Sequence, residues 1–139
     1  MATTRTADAH WEGTLLEGNG TVTLVSSGTG AFDVTWASRA QTPEGRTSPE
    51  ELIAAAHAAC FSMALSSALA KGGTPATTLD TSVEVDFQPG EGIVAIRITV
   101  AGDVPGLSGE AFAGAATAAK ENCPVSQALR AVPIALTVR

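Results

Sequence analysis

Residues Ser48–Gly73 read SPEELIAAAHAACFSMALSSALAKGG, and the reading of this stretch decides the fold. Ser48 is a good N-cap, Pro49 suits the first helical position, and Glu51, three residues after Ser48, completes a capping box. Glu50 and Glu51 favour the positive end of the helix dipole, Lys71 the negative end, and Gly72-Gly73 is a stop signal. The pattern predicts a helix from Pro49 to Lys71. It lacks a polar stripe, so it must be covered nearly all round, and a second copy of the chain is the economical cover. Leu52–Ala70 runs for 19 residues without a formal charge, long enough to span a bilayer. Eight of those residues are Ala, three are Ser, and His57 sits among them, so lipid offers the segment little. It is expected to be a core helix.

Strand patterns flank it. Phe32, Val34 and Trp36 alternate with Asp33 and Thr35; Val83, Val85 and Phe87 with Glu84 and Asp86; Val94, Ile96, Ile98 and Val100 with Ala95, Arg97 and Thr99. Gln88-Pro89-Gly90-Glu91-Gly92 is a hairpin turn between the last two. His10 to Leu15 and Thr21 to Val25 form an earlier pair, and Ile134 to Val138 a closing strand. Glu110 to about Asn122 is Ala-rich and helical, and Pro124 opens a short helix to about Arg130. This order predicts an α+β fold with mainly antiparallel sheet, as a single domain over residues 1–139.

Composition limits the function classes. Of 139 residues, 45% are hydrophobic and 16% charged, enough for a packed core. The net charge of −6 and the absence of a basic stripe disfavour nucleic acid and anionic membranes as partners. Two cysteines make neither a disulfide scaffold nor a zinc finger. Met1–Asp8 has no apolar core of a signal peptide, so the expected location is the reducing cytoplasm.

Four features carry possible chemistry. Cys60 lies in mid-helix, where a free cysteine usually behaves as a small buried hydrophobe. His57 is three residues before it on the same helix face, which allows half a metal site or a cysteine-hydrolase dyad. His10 is the one other histidine, and the pair lacks a separate base with its orienting group; a packed or capping role suits His57 better. Cys123 precedes Pro124 at the N-cap of the last short helix, a position that either merely caps or stabilises a thiolate. Arg39, Glu44, Arg46, Glu50 and Glu51 cluster upstream of the long helix, as a solvated loop or as a source of a guanidinium for a thiolate. The residues allow thiol redox chemistry without compelling it.

The run from Ser48 to Ser66 closely resembles the OsmC/Ohr family, the osmotically inducible and organic-hydroperoxide-resistance proteins. Asn122-Cys123-Pro124-Val125-Ser126 resembles its second cysteine motif, and His10-Trp11-Glu12-Gly13 and Val104-Pro105-Gly106 resemble the OsmC branch. The similarity covers essentially the whole chain. It implies an OsmC-like fold, with antiparallel sheets packed around long central helices in an intertwined homodimer. Cys60 would be the peroxidatic cysteine and Cys123 the resolving one, passing from a sulfenate to a disulfide. An arginine would stabilise the thiolate and a glutamate would position that arginine; Glu50 and Arg39 match these roles, with Arg46 the second choice. The stretch from Arg39 to Pro49 is about one residue longer than the family pattern, and Ser48 stands where asparagine is usual, an equivalent cap.

The implied activity is a thiol-dependent peroxidase for organic hydroperoxides, lined by Phe61 and Met63 and acting in oxidative and osmotic stress. A peroxide-sensing thiol switch or a binding protein is the alternative. No cofactor is implied, only an external thiol or dithiol, with a lipoyl-type dithiol as the family's donor. Glu50 and Cys60 lie ten residues apart on one helix, hence about 15 Å along its axis. Glu50 therefore reaches a sulfur most simply across a two-fold axis, on a partner's helix, which places the sites at the subunit interface.

Overall fold

The computed structural model describes residues 1–139 and divides into two compact units, Met1–Leu52 and Ile53–Arg139. The first holds an antiparallel sheet of β1 (Asp8–Glu12), β2 (Asn19–Thr23) and β3 (Ala31–Val34). Trp11 faces Gly20 across the ladder, where a Cβ on Gly20 would lie 2.7 Å from the indole ring; only glycine fits beneath it. A short helix α1 (Trp36–Ala40) follows, where the sequence alternation continues the strand to Trp36 and a loop is expected from Arg39. Its start is local: the Thr35 hydroxyl accepts from the Ser38 amide, and the Ser38 hydroxyl accepts from the Thr35 amide.

Helix α2 runs over Pro49–Lys71, the residues its capping signals predict. The Ser48 hydroxyl accepts from the Glu51 amide at 3.1 Å, half of the expected box. The Glu51 carboxylate does not reach back; it accepts from the Thr47 hydroxyl at 2.5 Å instead.

In the second unit, β4 (Thr78–Gln88) and β5 (Gly92–Asp103) form a long antiparallel hairpin. Its turn closes with the Glu91 amide on the Gln88 carbonyl, and Gly90 and Gly92 take the left-handed φ values of 87° and 95° that the turn requires. Helices α3 (Gly109–Asn122) and α4 (Pro124–Ala128) follow, and β6 (Ile134–Val138) pairs with β5 in parallel. The architecture is α+β with two three-stranded sheets, as expected, and β6 is the one parallel departure.

The core of this unit follows from periodicity. His57, Phe61, Leu65 and Leu69 recur every four residues along α2 and are all buried. Phe61, Leu65 and Leu69 join Ile98 and Val100 of β5 and Phe112, Ala116 and Ala119 of α3 in one cluster that also contains Cys123. Leu65→Ala is expected to lose about 2–5 kcal/mol of unfolding free energy, read as a lower urea midpoint. Leu16→Ala, at an exposed side chain in the first unit, is expected to change it by less than about 0.5 kcal/mol.

The outer face of α2 is different. Ala55, Ala56, Ala59, Met63 and Ala70 are exposed, and Met63 reaches 71%. The helix is long and apolar enough to cross a membrane by length and composition. Its buried stripe belongs to the core just described, which is the arrangement of a core helix with one side still uncovered.

Candidate active site

Each sulfur is placed by its local sequence. Cys60 sits one residue before Phe61, so it borders the buried stripe of α2 and is only half-buried. Pro124 cannot continue α3 and pushes the preceding residue to an extended conformation, and Cys123 accordingly has φ −60° and ψ 124°. Cys123 thus ends α3, opens α4 and turns its side chain into the core, fully buried. The two Sγ atoms lie 3.0 Å apart and share a hydrogen bond, both as free thiols. A disulfide is about 2.05 Å long, so roughly 1 Å of movement separates this pair from a bond.

The surroundings of the two thiols are unequal. Burial pushes the Cys60 thiol up, the neighbouring Cys123 adds to this, and the Val125 backbone opposes it. Burial also resists ionisation of Cys123. The polar surroundings supplied by Cys60, Ser126 and the Val125 backbone outweigh it and bring the Cys123 thiol down. Within this unit the negative charge favours Cys123, in keeping with its place at the head of α4.

The first unit holds an ion pair in a fixed geometry. Arg39, in the last turn of α1, donates from Nε to Glu50 Oε1 at 3.0 Å and from Nη2 to the same oxygen at 2.8 Å. A longer contact from Nε to Oε2 at 3.2 Å completes the fork. Glu50 is buried and lies in the first turn of α2, where the helix dipole favours its charge. Of the two arginines that the sequence leaves in competition, Arg39 pairs with Glu50. Arg46 lines an open surface cavity with Phe32, Asp33 and Glu51.

Phe61, expected to line a substrate pocket, is instead fully buried in the core, because its position falls on the four-residue stripe. Met63 points outward. His57 is fully buried, and its Nε2 lies 2.6 Å from the Ser126 hydroxyl. The sequence reads His57 as a packed or capping residue and carries no signal linking it to Ser126, 69 positions away.

The chain is similar to known proteins. A peroxiredoxin OsmC from Escherichia coli strain K12 is 40% identical over 134 residues, covering 94% of this chain and 93% of its own, and that of Shigella flexneri matches equally. Among solved structures, an organic hydroperoxide resistance protein OsmC from Legionella pneumophila superposes with a TM-score of 0.78 at 26% identity, covering 99% of this chain and 98% of its own. The organic hydroperoxide resistance protein OhrB of Bacillus subtilis gives 0.68 at 27% identity, covering 96% and 98%. The family model described as OsmC-like protein matches residues 42–137, which include Glu50 and both cysteines. With the family's model spanning most of its length and a relative this similar over nearly all of it, the chain belongs to the OsmC-like protein family.

Proposed function

We propose that the protein is a thiol-dependent peroxidase that reduces organic hydroperoxides to alcohols in defence against oxidative and osmotic stress. The observation that carries this reading is the pair of free thiols 3.0 Å apart, one bordering solvent and one buried. The 40% identity to a peroxiredoxin over most of the chain supports it.

Cys60, the half-buried sulfur, is the peroxidatic residue. Its thiolate attacks the distal oxygen of the hydroperoxide, the O–O bond breaks, and the alkoxide leaves and takes up a proton as the alcohol. The hydroxyl stays on sulfur as a sulfenic acid. Cys123 then attacks that sulfur, the S–O bond breaks, and water leaves as the disulfide forms. An external thiol or dithiol, with a lipoyl-type dithiol as the candidate, returns both cysteines to thiols. The hydroperoxide is itself the oxidant, so the cycle uses no bound cofactor.

The guanidinium that Cys60 requires is Arg39 of a second copy, oriented by that copy's Glu50. Within one chain Glu50 is ten residues from Cys60 along a continuous helix, and the outer face of α2 exposes Ala55, Ala56, Ala59 and Met63. Two α2 helices crossing antiparallel about a two-fold axis cover both faces and carry each ion pair towards the other chain's sulfur. We therefore assign a homodimer of single-domain chains with two interfacial sites, working in the cytoplasm.

Treatment of reduced protein with one equivalent of cumene hydroperoxide, followed by intact-mass measurement, tests the cycle. Loss of both thiols and about two mass units is the expected result. Unchanged thiols and mass would refute the reading. Stoichiometric oxidation with no turnover under any dithiol would identify a peroxide-sensing switch instead.

A further inference from the structure

We propose that the hydrogen bond between His57 and Ser126 is a clamp between α2 and α4 that holds Cys123 Sγ at attacking distance from Cys60 Sγ, which makes both residues positioning residues for closure of the Cys60–Cys123 disulfide. The inference rests on the peroxidase reading above. His57 lies three residues before Cys60 on α2, and Ser126 lies three residues after Cys123, one turn into α4. Residues three apart share a helix face. The two helices are therefore joined at two rungs. His57 Nε2 meets Ser126 Oγ at 2.6 Å, and the two Sγ atoms stand 3.0 Å apart. From the first rung to the second is one turn forward along α2 and one turn back along α4, so a shift of either helix alters both.

Helix α4 does not hold its own place. Its five residues are too few to be stable alone, so tertiary contacts must seat it. Ser126 is its one buried residue, and the bond to His57 is made there. Cys123 is the joint between α3 and α4. Its amide donates to the Ala119 carbonyl at 2.9 Å, and its carbonyl accepts from the Gln127 amide at 3.0 Å. With its backbone bonded on both sides, the direction of Cys123 Sγ follows the seating of α4.

Packing alone does not account for the pair. The same stripe of α2 continues as Phe61, Leu65 and Leu69, and an aliphatic side chain at position 57 would bury no nitrogens. His57 instead buries Nδ1 without a hydrogen-bond partner within the chain. A hydrogen bond differs from an apolar contact in holding its atoms to a few tenths of an ångström and to one direction. Closure makes that demand. Reacting atoms must stand about 3–3.5 Å apart, and a misplacement of about 1 Å costs about a hundredfold in rate. The sulfurs are already at that separation.

The clamp exchanges no proton with the reacting groups. In closure the Cys123 sulfur bonds to the Cys60 sulfur as the Cys60 S–O bond breaks, and the departing hydroxide leaves as water with the Cys123 proton. The Cys60 sulfur is reduced and the Cys123 sulfur is oxidised.

The test follows one turnover with one equivalent of cumene hydroperoxide. Sulfenic acid is read by dimedone trapping and closure by acid quench and mass. In Ser126→Ala, which removes a single oxygen atom, and in His57→Leu, closure is expected to slow at least about tenfold, while sulfenate formation stays within about twofold of wild type. One bond is lost either way, so the double variant should be no slower than the slower single. Leu65→Ala weakens the core and leaves the clamp, and it should close at the wild-type rate. Closure in Ser126→Ala less than tenfold below wild type, an equal slowing of sulfenate formation, an equal deficit in Leu65→Ala, or single effects that multiply in the double variant would overturn the clamp.

A second measurement needs no hydroperoxide. Equilibration with reduced and oxidised glutathione gives the effective concentration of Cys123 at Cys60. Ser126→Ala is expected to lower it about tenfold, which raises the potential of the pair by about 30 mV, and an unmoved equilibrium overturns the clamp. Wild-type protein that forms no sulfenate would instead overturn the peroxidase reading, and the glutathione equilibrium tells the two failures apart.

Discussion

Cys60→Ser is expected to lose hydroperoxide turnover by at least about a thousandfold, because a hydroxyl at that position is neither ionised nor a strong enough nucleophile to break an O–O bond. Cys123→Ser is expected to behave differently. Its Cys60 still consumes one equivalent of hydroperoxide, releases one equivalent of alcohol and stops as the sulfenic acid. Intact mass then shows a gain of about one oxygen, and excess hydroperoxide carries the sulfur on to sulfinic acid. The asymmetry follows from exposure under the proposed roles: Cys60 is half-buried, whereas Cys123 is sealed in the core 3.0 Å from it. Steady-state assays with a dithiol donor measure the first effect, and mass after a single equivalent measures the second. Equal rates in wild type and Cys60→Ser would remove thiol chemistry from the protein. A Cys123→Ser chain that turns over normally would show that the external thiol attacks the sulfenic acid directly, leaving Cys123 with no resolving role.

What could be read from the sequence was whatever is written locally. The ends of α2 are set by Ser48, Pro49 and Gly72-Gly73, all within one turn of the boundary, and the observed helix has the predicted limits. The β4–β5 hairpin is likewise carried by its own glycines and alternation. Helix α1 escaped because five residues show no periodicity, and its Thr35–Ser38 box had no apolar run to announce it. Arg39, preferred to Arg46 from the sequence, is the arginine that pairs with Glu50, whereas the parallel pairing of β6 depends on groups distant in the chain. So does the bond between His57 and Ser126, which no spacing rule encodes. Phe61 was misplaced for a subtler reason. An aromatic next to a reactive cysteine reads as pocket lining, yet the four-residue stripe through His57, Leu65 and Leu69 puts it in the core. Periodicity outweighs proximity, and both signals lie in the sequence.

The unequal surroundings of the two sulfurs lead to the second large effect. Within its own unit the Cys60 thiol is pushed up, and in the proposed cycle a cation brought to it stabilises the thiolate. Arg39→Ala is expected to lower kcat/KM by about a hundredfold to a thousandfold, the range for removing a fixed charge donor from a developing anion. Arg39→Lys should recover little, because the fork held by Glu50 Oε1 and Oε2 is a guanidinium geometry. The proposed two-fold arrangement makes a sharper demand. Mixing Arg39→Ala chains with Cys60→Ser chains, each inactive alone, and refolding them together gives mixed dimers in about half of the population. In each mixed dimer the Arg39 of one chain faces the Cys60 of the other at one of its two sites, and that site is wild type. About a quarter of full activity is therefore expected to return. If instead each chain's Arg39 serves its own Cys60, no mixed dimer contains an intact site and the mixture stays inactive. Light scattering on the same samples reports whether dimers have formed, so an inactive mixture of dimers speaks against the crossed site, and an inactive mixture of monomers against the dimer itself.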